Sequence, residues 1–329
     1  MHNFYCMKIH LVTPAKKNSK SGNRATALRW AKLLKLQGHA VTIGTDYKGE
    51  STDLLIALHA WRSAAAVNRY RQCYPRGPLV VALGGTDVNS YLKTDPQTTL
   101  KSMATADALV CLHDLIELEL PVELRHKLHV IYQSASTLPQ CRKPRSKTFD
   151  ICVIGHLREE KDPFRTALAA RLLAPDSKIL ITHLGKAHNR QWCEKALQES
   201  AQNPRYEWKA EVPRWRVRQE LARTRVMVIS SIQEGGANVV SEALVAGVPI
   251  LASRISGNVG LLGVDYPGYY PVGDEVALAD LLVLAETDPA FLSRLEHCCL
   301  QLSTRFTPES EAAAWAGLIA SMIQPVSTT

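Results

Sequence analysis

The 329-residue sequence has no G-x-G-x-x-G fingerprint and no G-x-x-x-x-G-K-[ST] loop. Without the first, a dinucleotide-binding reading loses its main support; without the second, so does an ATP-hydrolysing one. No apolar run approaches the roughly 20 residues that cross a bilayer. The N-terminal stretch passes straight into a strand pattern and has no signal-peptide core. The cytoplasm is therefore the expected location, with no stable membrane insertion. The 8 cysteines, at positions 6, 73, 111, 141, 152, 193, 298 and 299, include no C-x-x-C pair. Reduced thiols fit better than a disulfide framework or a zinc site. The 11 histidines are scattered without ligand spacing, so no metal is expected. Aromatic residues are only 6% of the chain. The basic clusters Arg142–Lys147 and Arg214–Arg218 lack interleaved stacking rings, Trp215 apart, and no nucleic-acid partner is expected.

What is present is an ordinary globular balance, 46% hydrophobic and 21% charged, on a chain long enough for two domains. The formal charge of +8 points to anionic substrates. In the first half, Ile9–Thr13, Ala40–Gly44, Leu54–Leu58, Leu79–Leu83, Ala108–Leu112 and Leu128–Tyr132 read as strands. Between them, Arg24–Gln37, Ala60–Tyr74 and Gln97–Thr105 have helical periodicity. Leu28, Trp30, Leu33 and Leu34 of the first helix are expected to face the core. Such alternation argues for α/β architecture, a parallel sheet covered on both faces. Gln133–Thr148 breaks the rhythm with Pro139, Pro144 and a run of basic residues, and reads as a linker. A second series starts at Phe149–Ile154 and continues through Lys178–His183, Val226–Ile229 and Val248–Ala252. Glu309–Ile323 reads as a final helix. The expected domains are residues 1–148 and 149–329.

The most informative stretch is Arg225–Ser253. Glu234 and Glu242 bracket seven residues that begin Gly235, Gly236, Ala237, Asn238, between two apolar runs. The pattern is strand, glycine-rich turn, helix, strand. It points backbone N–H groups and a helix dipole at an anion, as a phosphate site requires. A carboxylate is not there for phosphate; it accepts hydrogen bonds from hydroxyls. A phosphate with diols on either side describes a nucleotide sugar. Gly235 and Gly236 each cost a helix roughly 1 kcal/mol relative to Ala, which fits close backbone approach to a ligand.

These residues resemble the E-x7-E region of GT-B glycosyltransferases of the family-4 type, which use nucleotide-diphosphate sugars. The resemblance implies two Rossmann-like domains facing across a cleft, with the last helix crossing back to the first domain. It implies that Glu234 and the Gly235, Gly236, Ala237 and Asn238 amides hold the donor sugar, and that Glu242 holds the ribose. Gly155–Pro163 is similar to the family loop in which an Arg and a Lys neutralise the diphosphate. Lys161 falls on the Lys. His156 stands where the Arg is expected, and Arg158 is the candidate substitute. Fixed cations there stabilise the charge that a departing nucleoside diphosphate gains. Gly22 joins the donor set, and Gly257–Gly260 is expected as a loop near the donor.

In the first half, Thr13–Ala27 is a basic Gly/Ser loop with Lys16, Lys17, Lys20 and Arg24, suited to an anion. His59 and Arg62 end one strand, and Gly85, Thr86 and Asp87 end another, where ligands of open α/β sheets gather. Lys20, Arg24, His59, Arg62, Gly85, Thr86 and Asp87 are the acceptor candidates. Lys161, Arg158, Glu234 and His59 are the catalytic candidates.

Five stretches, Ser21–Leu34, Leu55–Ala64, Ala82–Val88, Ile154–Arg165 and Ser230–Leu244, look like a narrower group, the selenosugar synthases of selenoneine biosynthesis. That resemblance implies transfer of a hexosyl group, GlcNAc from UDP-GlcNAc in the first instance and glucose from UDP-Glc as the alternative, to the selenium of selenophosphate. UDP and phosphate are then released, and no cofactor is tightly bound. An ionised selenophosphate needs little help from a general base, and none stands out in the sequence. The alternatives are a conventional family-4 transferase with a lipid or saccharide acceptor, a UDP-sugar epimerase and a non-catalytic nucleotide-sugar sensor.

Overall fold

The computed structural model describes residues 6–19 and 21–323. The described strands form two six-stranded sheets. In the first, β1 (Lys8–Val12), β2 (Ala40–Gly44), β3 (Leu54–Leu58), β4 (Leu79–Ala82), β5 (Ala108–Cys111) and β6 (Leu128–Val130) run in the order β2-β1-β3-β4-β5-β6. In the second, β7 (Phe149–Ile154), β8 (Ile179–Leu184), β9 (Tyr206–Trp208), β10 (Val226–Ile229), β11 (Ile250–Ser253) and β12 (Tyr269–Tyr270) run in the order β12-β11-β10-β7-β8-β9. Every pairing is parallel. Strand order reverses beside β1 in the first sheet and beside β7 in the second. Loops leaving the carboxyl ends of the strands diverge there and leave a crevice for ligands.

The strand sequences explain the layering. All five residues of β3 are buried. Leu54, Ile56 and Leu58 join one core cluster, while Leu55 and Ala57 join another. Successive side chains of a strand point to opposite faces, so a continuous apolar run needs helices on both. The helix Gly22–Leu36 buries Ala27, Trp30, Ala31 and Leu34 on one face, which is the helical repeat. Leu33 is buried as expected, but Leu28 is half exposed, on the outward face of the same helix. Among the described residues no helix is long and apolar enough to cross a membrane.

Contacts divide the chain into two compact units. Described residues up to Gln133 and from Pro308 onward form the first, and Ser134–Thr307 forms the second. The division falls after the first residue of the stretch read as a linker and leaves the rest of it in the second unit. Arg142 holds that stretch to the second unit by donating to the carbonyls of Thr224 (3.0 Å), Arg225 (3.3 Å) and Gly247. The helix Pro308–Ile323 packs in the first unit, with Trp315 edge-on to Trp30 at 4.8 Å. Its Glu311 is buried and accepts from the Trp30 indole at 2.7 Å and from Arg29 Nε at 2.9 Å. Removing the carboxylate strands a buried donor and a cation. Glu311→Ala is therefore expected to cost about 3 kcal/mol in urea unfolding of the full chain. A loss under about 1 kcal/mol would mean the helix is held by its apolar face alone.

Two expected elements differ. The segment Ala60–Tyr74 is helical only over Ala64–Cys73, because the amides of Ala60 and Trp61 bind the Asp87 carboxylate instead of starting a helix. Gly257–Gly260 is not a loop but part of the helix Ser256–Leu262, which is buried from Gly257 onward. Burial pushes the thiols of Cys111 and Cys152 up to about 12, so both are inert core residues. The described cysteines are all free.

Candidate functional site

The second unit builds its site where strand order reverses. β7 and β10 are paired neighbours, and the loops that follow them meet. Ser230 Oγ donates to the carbonyls of Lys161 (3.0 Å) and Asp162 (2.9 Å), and Ile232 N donates to Glu160 O at 2.9 Å. Asp162 has a left-handed backbone, φ 40°, which ends the single turn Glu159–Lys161. That sharp turn suits an Asp, whose short polar side chain tolerates the region. Lys161 emerges from it and its Nζ pairs with Glu234 Oε1. Ser231 Oγ donates to the same oxygen at 2.6 Å. The carboxylate is thus held by two loops at once.

Glycine geometry continues this close fit. Gly236 has φ 116°, open to glycine at no steric cost. The helix Asn238–Val245 follows, and its cap residue Ala237 offers no side-chain acceptor to the first-turn amides. Glu242 lies within that helix and sits 3.7 Å from Arg214. Behind the site, Ser253 Oγ donates to Ser231 O at 2.6 Å, and the buried Asn258 donates to Ser253 O at 2.9 Å. The backbone of Gly257 lies directly against Glu234.

The loop after β7 rests on a buried histidine. His183 contacts Gly155 O through Nε2 at 3.0 Å and the Tyr206 hydroxyl through Nδ1 at 2.8 Å. Burial pushes His183 down to about 4 from an ordinary 6.5, and does the same to His113 in the first unit. Both fold as neutral imidazoles. Between pH 6.5 and about 4 the unfolded chain takes up protons that the folded chain refuses, so stability falls as pH drops through that window. The loss for His183 alone is expected to reach about 3 kcal/mol. Urea midpoints at about pH 7 and about pH 4.5 check this, and His183→Gln should flatten part of the difference.

His156 accepts from Lys186 N at 3.1 Å. Burial, with the charges of Arg158, Lys161 and Lys186, lowers its pKa, so it does not supply the fixed cation that an Arg would give at this position. Arg158 lies 3.8 Å from Glu160, with a side chain 43% exposed. It lines a hollow of about 700 Å³ together with Trp192, Ile232 and Gln233. Among the donor candidates the structure brings Lys161 and Glu234 into contact, and places Gly235, Gly236, Ala237, Asn238 and Glu242 along the adjoining turn and helix. Ser231 and Arg214 escaped the sequence reading, whereas Gly257 was expected near the donor, though in a loop and not in a helix. Arg214 lay in the basic cluster already noted, and Ser231 is a local contact three residues before Glu234, whereas Gly257 meets Glu234 only because β10 and β11 are neighbours.

In the first unit, His59, Thr86 and Asp87 come together. His59 ends β3 with a left-handed backbone, φ 75°. Its Nδ1 is 2.6 Å from Asp87 Oδ1, and its Nε2 is 2.8 Å from Thr86 Oγ1. Asp87 is fully buried and accepts from the amides of Ala60, Trp61 and Gly84 at 2.8–2.9 Å. Gly85 sits in the same turn, and the Arg62 side chain is exposed. Gly22 and Arg24 belong to a different element, the helix after β1. Lys20 lies outside the described residues. Among the described residues no group of three or more His, Cys, Asp or Glu is placed to hold a metal ion.

Residues 137–297 match the family model of glycosyl transferases, group 1. The matched stretch is just under half of the chain. It contains both loops of the second unit's site, from Gly155 to Glu242. Over a longer span the chain is 23% identical to Glycosyltransferase 1 domain-containing protein 1 of Xenopus tropicalis, across 74% of this chain and 77% of that one. Among solved structures, Anabaena Alr3699/HepE in complex with UDP and glucose superimposes with a TM-score of 0.75. It is 15% identical and covers 96% of this chain and 100% of its own. Sucrose-phosphate synthase from Thermosynechococcus elongatus also gives 0.75, at 16% identity over 96% of this chain and 98% of its own. The chain thus has the GT-B fold, with two Rossmann-like units.

Proposed function

We propose that the chain transfers a hexosyl group from a UDP-sugar, UDP-GlcNAc in the first instance, to selenophosphate. The products are a selenosugar, UDP and phosphate. The observation that carries the donor half is the Lys161–Glu234 pair at the point where strand order reverses. A cation and a carboxylate so placed suit a diphosphate beside a sugar diol. In this reading Lys161 and Arg158 face the diphosphate, Glu234 and the Gly235–Asn238 backbone face the hexose, and Glu242 faces the ribose. The Anabaena structures hold UDP and UDP-glucose, which supports a uridine nucleotide as donor. The selenophosphate half rests on the sequence likeness of the five stretches and on the charge of +8. His59, Arg62, Gly85, Thr86 and Asp87 would receive it. A cytoplasmic location belongs to the same proposal.

One observation favours a second reading. The Asp87–His59–Thr86 chain is what a hydroxyl acceptor needs and selenophosphate does not. A conventional sugar or lipid hydroxyl is then the acceptor.

The test is UDP release from UDP-GlcNAc with and without selenophosphate, with products read by mass spectrometry. Release that depends on selenophosphate, with selenium's isotope pattern in the product, is the expected result. Release without any acceptor would replace the transferase with an epimerase or hydrolase. Release that depends on a hydroxyl compound would select the second reading.

A further inference from the structure

Lys161 can meet a diphosphate only if its stem leaves the backbone in one direction, and the turn that sets this direction is unfavourable on its own. Asp162, the next residue, has φ 40° and ψ 59°. A residue other than glycine stays in that left-handed region only where its surroundings hold it there. Ser230 and Arg165 supply the hold. Ser230 Oγ donates to the carbonyls of Lys161 and Asp162. Arg165 grips Asp162 twice: its amide donates to Asp162 O at 3.2 Å, and its Nε to Asp162 Oδ2 at 2.8 Å. Its Nη1 pairs with Glu275, the first residue of the helix Glu275–Thr287.

Packing alone does not call for this arrangement. The helices Arg165–Ala170 and Glu275–Thr287 are neighbours, and each has a buried face of its own. The first buries Ala167, Ala169 and Ala170, and the second buries Leu278, Ala279, Leu282 and Ala285. Burying those faces needs no guanidinium forked between two carboxylates at the helix starts. What the fork fixes is the Asp162 side chain. A change of φ at Asp162 swings that carboxylate relative to the peptide that carries Lys161. The bonds from Arg165 to the side chain and to the carbonyl are made together at the observed backbone and break when it relaxes. Glu275 holds the far side of the guanidinium, so the planar fork cannot follow the carboxylate.

We propose that Arg165 is a positioning residue for Lys161, holding Asp162 left-handed so that the ammonium is aimed at the donor diphosphate. The inference rests on the transferase reading and deepens its donor half. Arg165 acts through Asp162 and needs no contact with the nucleotide.

Arg165→Met in the full chain keeps the length of the side chain and removes the fork. UDP release is measured from UDP-GlcNAc and UDP-Glc, with selenophosphate and with glycerol as a hydroxyl probe. The expected kcat is about tenfold or more below wild type, with KM within about twofold. Glycine accepts the left-handed backbone unaided, so Asp162→Gly added to Arg165→Met should bring kcat back to within about threefold of wild type. Without Lys161 there is no ammonium to aim, so Arg165→Met added to Lys161→Ala should cost less than about twofold more. A full loss that persists in the Lys161→Ala background, no recovery with Asp162→Gly, or a loss carried by KM instead of kcat would make Arg165 a structural ion pair and overturn the proposal. If melting curves show Arg165→Met unfolded, Arg165→Lys takes its place. It keeps the charge without the fork, and its kcat should fall about fivefold; wild-type kcat in it overturns the proposal. A wild-type chain that releases no UDP from either donor removes the transferase reading and the proposal together. An active wild type with a folded, unimpaired Arg165→Met removes the proposal alone.

Discussion

Lys161→Ala is expected to lower turnover of a UDP-sugar by about 100- to 1,000-fold while leaving the fold intact. Departure of UDP concentrates charge on the diphosphate, and a fixed ammonium stabilises it more in the transition state than in the bound substrate. Lys161 is fixed. It leaves a turn that Ser230 clasps through two carbonyls, and its amine is already held at Glu234. Stability should fall by about 1–3 kcal/mol, because the Glu234 side chain, 11% exposed, loses its cation and keeps only Ser231. Glu242→Ala gives the contrast. A ribose contact is made alike in ground and transition states, so KM should rise while kcat holds. Steady-state UDP release for both variants, with melting curves alongside, separates the two roles. A folded Lys161→Ala with wild-type kcat would remove Lys161 from the diphosphate.

Much of this was legible because the strands are buried on both faces. A run such as Leu54–Leu58, apolar at every position, has few alternatives, and each of the six strands expected in the first half appears within a residue or two of its place. The strands that escaped notice are the short ones, Tyr206–Trp208 and Tyr269–Tyr270, at the edges of the second sheet. Two or three residues carry no periodicity to read. The glycine-rich turn and its helix were legible for a chemical reason, since glycine is costly there unless backbone must approach something. Contacts set by strand order were not. Asp87 reaches back to Ala60 and Trp61 because β3 and β4 are neighbours, and that pairing turned an expected helix start into a turn. The same cause hid a contact between two acceptor candidates. His59 and Thr86 are 27 residues apart, and only the sheet makes them partners.

Gly257→Ala is expected to lower kcat/KM for the UDP-sugar by about 100-fold and to cost about 1–3 kcal/mol of stability. Gly257 lies in the helix Ser256–Leu262 with an ordinary helical backbone, where Ala is the better residue by about 1 kcal/mol. The obstacle is Glu234. A Cβ at position 257 would stand 2.8 Å from the Glu234 Cβ and closer still to its carbonyl oxygen. Backbone is the unyielding part of that contact, so the turn carrying Glu234 must move while the buried helix stays. Glu234 Oε1 would then lose its alignment with Lys161 and with Ser231, now at 2.6 Å. Displacements of about 1 Å at a reacting centre cost rate on the order of 100-fold. Gly317→Ala is the control. It sits in the helix Pro308–Ile323 with open space where its Cβ would go, so it should gain about 0.5–1 kcal/mol and keep full activity. If Gly257→Ala stays as active as Gly317→Ala, Glu234 is not positioned from behind. If it unfolds instead, the contact serves the fold, and the precision of Glu234 must come from Lys161 and Ser231.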